Sequence, residues 1–124
     1  MSEFYLWANA LIYAGFALWC TLKRKQTSIA SGYISLNNSG KSEYLVIYGG
    51  LQFGLALFFA YLALNAELHK TGIMFALLLY VPIVIYRIAT IYFFRSVKRT
   101  TLIIGAMEVL LLVGAIISFI TIKS

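Results

Sequence analysis

Cysteine, proline and histidine each occur once in 124 residues, and acidic residues only four times. The single thiol, Cys20, excludes an internal disulfide and a paired-thiol redox centre, and reads as a core residue. The single histidine, His69, has no Cys or Asp nearby in sequence, so neither a metal cluster nor a nucleophilic triad assembles around it; a solvated loop residue is expected. The N-terminal run MSEFYLWANALIYAGFALWC lacks the basic stretch and small-residue cleavage site of a secretory signal, so it is expected to persist as a first membrane span. The sequence SGKS at 39–42 echoes the tail of a phosphate-binding loop. Ser35 stands where the first glycine belongs and no buried strand precedes it, which argues against nucleotide binding. No residue constellation amounts to a catalytic or transport motif, and no cofactor is expected.

Base is not scarce: ten Lys and Arg give a net charge of +6, although charged residues make up only 11% of the chain. Hydrophobic residues reach 62% and mean hydropathy is +0.90, values outside the range of water-soluble domains. The apolar residues gather into four runs, 4–22, 44–64, 73–94 and 102–122, each long enough to cross a ~30 Å hydrocarbon core as helix. Only helices or closed barrels satisfy the backbone there. The expected fold is therefore all-α, a four-helix transmembrane bundle forming one domain over 1–124, with antiparallel neighbours. The short segments 65–72 and 95–101 make the last three spans sequential neighbours, while the long segment 23–43 leaves the first span freer.

Sidedness follows from the basic residues flanking the spans. Lys23, Arg24, Lys25, Lys41, Arg95, Lys98 and Arg99 lie on one side, against Lys70 and Lys123 on the other, which places 23–43 and 95–101 in the cytoplasm and both termini outside. Because these residues adjoin apolar spans, with no soluble domain to present them, their expected partners are lipid headgroups, through Lys23, Arg24, Lys25, Lys98 and Arg99 above all, and not nucleic acid. Tyr5 and Trp7 at the outer end of the first span, and Trp19 near its inner end, read as interfacial anchors. Ile29, Tyr33, Ile34 and Leu36 suggest that the long segment lies along the inner interface. Ser42 and Glu43 are expected to start the second helix, and Thr100 to cap the fourth.

Two charges fall inside spans. Arg87 lies eight residues before Arg95 and Glu108 eight after Thr100, so at 1.5 Å per residue each is ~12 Å from the cytoplasmic border and the two are level. An intramembrane ionisable residue is a functional hypothesis by default. A lone glutamate would be a site for protons or organic cations; beside Arg87 it becomes a structural tie between the third and fourth spans, the preferred reading. Gln52, Tyr48 and Tyr80 sit at spacings that place them on the same polar cluster. In YGGLQFG, Gly50 and Gly54 form a GxxxG pair widened by Gly49, a surface for close helix packing within a subunit or between subunits. Pro82 is expected to kink the third span.

The stretch SEYLVIYGGLQFGLALFF, followed by YRIATIYF and a glutamate in the fourth span, resembles an uncharacterised family of small four-helix bacterial inner-membrane proteins, with a distant likeness to DoxX-like proteins. The resemblance rests on Glu43 before Tyr48, Gly49 and Gly50, and on Arg87. It implies a bacterial inner-membrane location and a shared fold, and no activity. The expected function is non-enzymatic: a self-associating protein binding lipid or a larger membrane-protein partner in support of envelope integrity. The alternative is a small proton-coupled transporter of lipophilic or cationic compounds using Glu108. The charge bias makes every copy insert one way, so a cyclic homo-oligomer is expected, a trimer being preferred to a parallel dimer.

Overall fold

A computed structural model describes residues 2–95 and 97–123, the last of these by its backbone alone. The outer charge expected at Lys123 and the sidedness expected at Ser124 fall outside what is described. Among the described residues the protein is all-helical, with α1 (Ser2–Leu22), a short α2 (Arg24–Ala30), α3 (Asn38–Leu64), α4 (Ala66–Phe94) and α5 (Arg99–Lys123). The four long helices α1, α3, α4 and α5 are each long and apolar enough to cross a membrane, as in a multi-pass membrane protein, and their packing is compatible with a bundle.

The helix ends depart from the sequence reading in ways local chemistry explains. Segment 23–43 is not a simple loop. Thr27 and Ser28 return their hydroxyls to the carbonyls of Lys23 and Lys25, and α2 closes at Gly32, whose φ of +107° allows the amides of Gly32 and Tyr33 to reach back to Ile29 and Ser28. The start of α3 is Asn38, not Ser42 or Glu43: the Asn37 side chain accepts the Gly40 amide at 2.7 Å and caps the helix earlier. The polar run 38–43 looks like loop by composition but extends the helix beyond its apolar part. Likewise the connection expected over 65–72 contracts to a turn at Asn65, since Ala66–Leu68 already form a 3₁₀ turn leading into α4. His69 accordingly sits on a helix and not in a solvated loop, and its Nε2 lies 2.9 Å from the Ala63 carbonyl. Thr100 lies within the first turn of α5, which begins at Arg99, so it is not the cap.

Helix α1, expected to be the freest, is in fact the most engaged: it packs chiefly on α3 and also touches α4 and α5, while α4 packs chiefly on α5. Small side chains explain the first contact. Ala10 and Ala17 are buried on α1, and a Cβ on Gly49 would come within 2.7 Å of Thr21 Oγ1. Gly49 lies in a π-helical turn, Val46–Leu51, embedded in α3.

The core gathers at one end of the molecule. Leu6 and Ala10 of α1, Phe59 and Leu62 of α3, Ile73 and Tyr80 of α4 and Ala115 of α5 form a single buried cluster. Tyr5 belongs to it rather than to an interfacial belt: it is 7% exposed, and its hydroxyl donates to the Leu111 carbonyl at 2.6 Å. Gly114 makes room, since a Cβ there would stand 2.8 Å from the Tyr5 ring. Trp19, by contrast, is exposed, as an interfacial residue should be.

Candidate functional site

Toward the opposite end the four helices enclose less. Arg87 on α4 and Glu108 on α5 meet there in a two-pronged ion pair, Nε donating to Oε1 at 2.8 Å and Nη2 to Oε2 at 3.1 Å. The fork geometry makes each hydrogen bond charge-assisted and fixes both side chains. Gly105, one turn before Glu108, makes the reach across α5 feasible. A Cβ at that position would be 3.1 Å from Arg87 Cγ and 3.5 Å from Cδ, so the glycine provides a groove for the arginine stem. Neither side chain is sealed off, with 31% of Arg87 and 17% of Glu108 accessible.

The pair forms part of the wall of a cleft of about 370 Å³ lined by all four long helices. Its polar lining is Tyr13, Tyr48, Gln52, Arg87 and Glu108, with the hydroxyl residues Ser31 and Thr101 where α2 gives way to the connector and α5 begins. The remaining wall is aliphatic and aromatic. Its volume falls within the ~300–1,000 Å³ typical of small-molecule sites, and an apolar hollow with a few convergent polar groups is their usual chemistry. A smaller apolar hollow of about 150 Å³, lined by Val84, Ile88, Gly105 and Val109, also borders Arg87.

Of the five residues assigned to one polar cluster, the structure groups four around the cleft and places the fifth elsewhere. Gln52 lines the cleft without bonding to the ion pair; its one hydrogen bond is a long 3.5 Å contact to the Ile47 carbonyl. Tyr48 also lines it, sharing a 3.1 Å hydroxyl contact with Tyr33 and stacking on Tyr44 at 4.5 Å between centroids. Tyr80 is buried in the core. Its hydroxyl donates to Asn9 Oδ1 and lies 2.8 Å from the Tyr13 hydroxyl. Two helical turns do return a side chain to the same face, but seven residues also separate Tyr80 from Arg87 by ~10 Å along the axis. Asn9, fully buried and also bonded to the Tyr5 carbonyl, was missed by the sequence reading. A lone amide inside an apolar span was the signal available.

The remaining assignments divide by position. Gly49 serves packing between α3 and α1, whereas a Cβ on Gly50 or Gly54 would meet nothing within 4 Å, so those two glycines pack nothing in this chain. Lys23, Lys25, Lys98 and Arg99 are exposed and Arg24 is partly so. Lys98 also donates to the Ile29 carbonyl at 3.0 Å, tying the segment before α5 to α2. Among the described residues no group of three or more His, Cys, Asp or Glu is placed to hold a metal ion. No protein-family model, no curated protein and no solved structure matches this chain.

Proposed function

We propose that this chain is a non-enzymatic membrane protein that holds a lipid or another lipophilic molecule in the cleft between its four helices. The observation that carries the reading is the cleft itself: an apolar hollow between four helices long enough to span a membrane, with a fixed ion pair in its wall. The helices are antiparallel neighbours in a bundle, a reading supported by the core cluster, which unites the N-terminal halves of α1 and α4 with the C-terminal halves of α3 and α5. The basic bias puts segments 23–43 and 95–101 in the cytoplasm and the chain ends outside, and the resemblance of the α3 sequence points to a bacterial inner membrane.

Self-association belongs to the same proposal. Only 17–33% of the residues in the four apolar windows are buried within one chain, so most helix surface faces lipid or another copy. The accessible surface of 8038 Å² exceeds the ~6,700 Å² expected of a compact globular chain of this mass. The uncovered Gly50 and Gly54 offer a flat strip for a second helix, in a cyclic trimer in preference to a parallel dimer, with a larger membrane-protein partner as the other occupant.

Glu108 lines the cleft, which is the observation favouring the second reading, a proton-coupled transporter of lipophilic or cationic compounds. Against it, both carboxylate oxygens already accept from Arg87, so each proton bound would require giving up the fork. The test is to fill the cleft. Leu51→Trp, at an exposed cleft-lining position, should remove lipophilic molecules that co-purify with the wild-type chain in mild detergent, as read by mass spectrometry of the extracted lipid. An identical lipid complement in both proteins would defeat the reading.

A further inference from the structure

We propose that the occupant of the cleft is a single-chain anionic amphiphile, a medium-chain fatty carboxylate, with its head on Arg87; this rests on the cleft being a ligand site. Three observations converge. The first is the chemistry left over on the guanidinium. Glu108 occupies the Nε–Nη2 edge, so the Nη1 hydrogens and the second Nη2 hydrogen, the end-on edge of the fork, are not used by the pair. That edge matches the two oxygens of a second carboxylate. A cationic head would find only the outer lone pairs of Glu108 and would bring its charge beside the Arg87 guanidinium.

The second observation is charge. A second carboxylate beside Glu108 needs positive potential nearby, and the end of the molecule where Ser31 and Thr101 line the cleft carries Lys23, Arg24, Lys25, Arg95, Lys98 and Arg99 in the adjoining segments. These draw anions to the mouth, and the Gln52 amide, weakly engaged at 3.5 Å, is a neutral donor inside it.

The third is size and access. At about 370 Å³ the cleft lies at the small end of the ~300–1,000 Å³ range of small-molecule sites, which suits one medium alkyl chain and its head better than a two-chain phospholipid. The lining residues Ile47 and Leu51 on α3 and Met107 on α5 are also exposed, an apolar rim by which a chain enters from the bilayer. The tail then lies against Ile12, Leu55, Leu79 and Leu111.

The experiment is native mass spectrometry of the full chain in a non-ionic detergent with laurate, dodecanol or dodecyltrimethylammonium added. One laurate per chain is expected, bound about tenfold more tightly than dodecanol, the effect of one charge-assisted hydrogen bond. The ammonium should bind more weakly still. Leu51→Trp should abolish binding of all three, and the double change Arg87→Gln with Glu108→Gln should bring laurate down to the level of dodecanol. Equal binding of the three heads to the wild type, lost in Leu51→Trp, would overturn the anionic assignment and leave the cleft as a ligand site. Failure of any amphiphile to bind in a Leu51→Trp-sensitive way would overturn both.

Discussion

Removing Arg87 or Glu108 singly should damage the protein more than removing both. The fork holds two charges within helices long and apolar enough to span a membrane, and truncating one strands the other. For a fully enclosed pair the loss is about 3–5 kcal/mol, and the accessibility of 31% and 17% lowers it for this pair, to about 2–3 kcal/mol for Arg87→Ala or Glu108→Ala. The double change leaves no stranded charge and loses mainly the packing of the two stems, about 1 kcal/mol. A coupling energy of about 3 kcal/mol or more therefore separates the sum of the single losses from the double loss. The assay is SDS titration of the full chain in mixed micelles, followed by Trp fluorescence and circular dichroism. Gly105→Ala adds an internal check, because its Cβ would press on Arg87 Cγ at 3.1 Å: it should be costly in the wild type and nearly neutral with Arg87→Ala. Additive single losses would refute the idea that the pair is held in the geometry described.

Topology and assembly give the remaining predictions. Reporter fusions after Ser124 and in the Asn65 turn should read as periplasmic, and fusions at Lys25 and Lys98 as cytoplasmic; a cytoplasmic reading after Ser124 would overturn the sidedness drawn from the basic residues. Gly50→Leu with Gly54→Leu should leave the monomer folded, since nothing lies within 4 Å of either Cβ, and should shift native mass spectra in mild detergent from oligomer toward monomer. Gly49→Leu should instead destabilise the monomer by pushing α3 off Thr21; a monomeric wild type at every concentration would remove self-association altogether.

The parts of this molecule that were legible in its sequence are those governed by length and hydropathy. Four spans follow from four apolar runs, and the meeting of Arg87 with Glu108 follows from two equal distances to one border. The features that were misread or left open depend on rotation or on local capping. A GxxxG spacing says that a flat strip exists but not which way it faces, so Gly49 and the Gly50–Gly54 strip could not be assigned to inner and outer contacts. Tyr5 and Trp19 are both aromatic residues near a span end, and composition cannot separate a ring turned into the core from one turned to the headgroups. Asn37 is one of several capping residues in a polar run, and only the Gly40 amide selects it. Gly105 and Gly114 carry no motif, since the need for glycine there comes from Arg87 and Tyr5 crossing from other helices.

The polar groups are distributed differently at the two ends of the molecule. At the core end, Tyr5, Asn9, Tyr13 and Tyr80 are linked by hydrogen bonds that join α1 to both α4 and α5 amid fully buried Leu6, Phe59 and Ile73. Such a connected network in a dry core resists opening, because every donor withdrawn is left without water to replace its partner. At the other end the Arg87–Glu108 fork joins α4 to α5 without holding α1 or α3, and Lys98, donating to the Ile29 carbonyl, ties the segment before α5 to α2. The pairs α1–α3 and α4–α5 are thus clamped at one end and separated by the cleft at the other. Tyr13 spans the boundary: its hydroxyl meets Tyr80 in the core while its side chain lines the cleft. On the proposed reading, an occupant would enter where the cleft keeps the two pairs apart, away from the hydrogen-bonded core that fixes the fold.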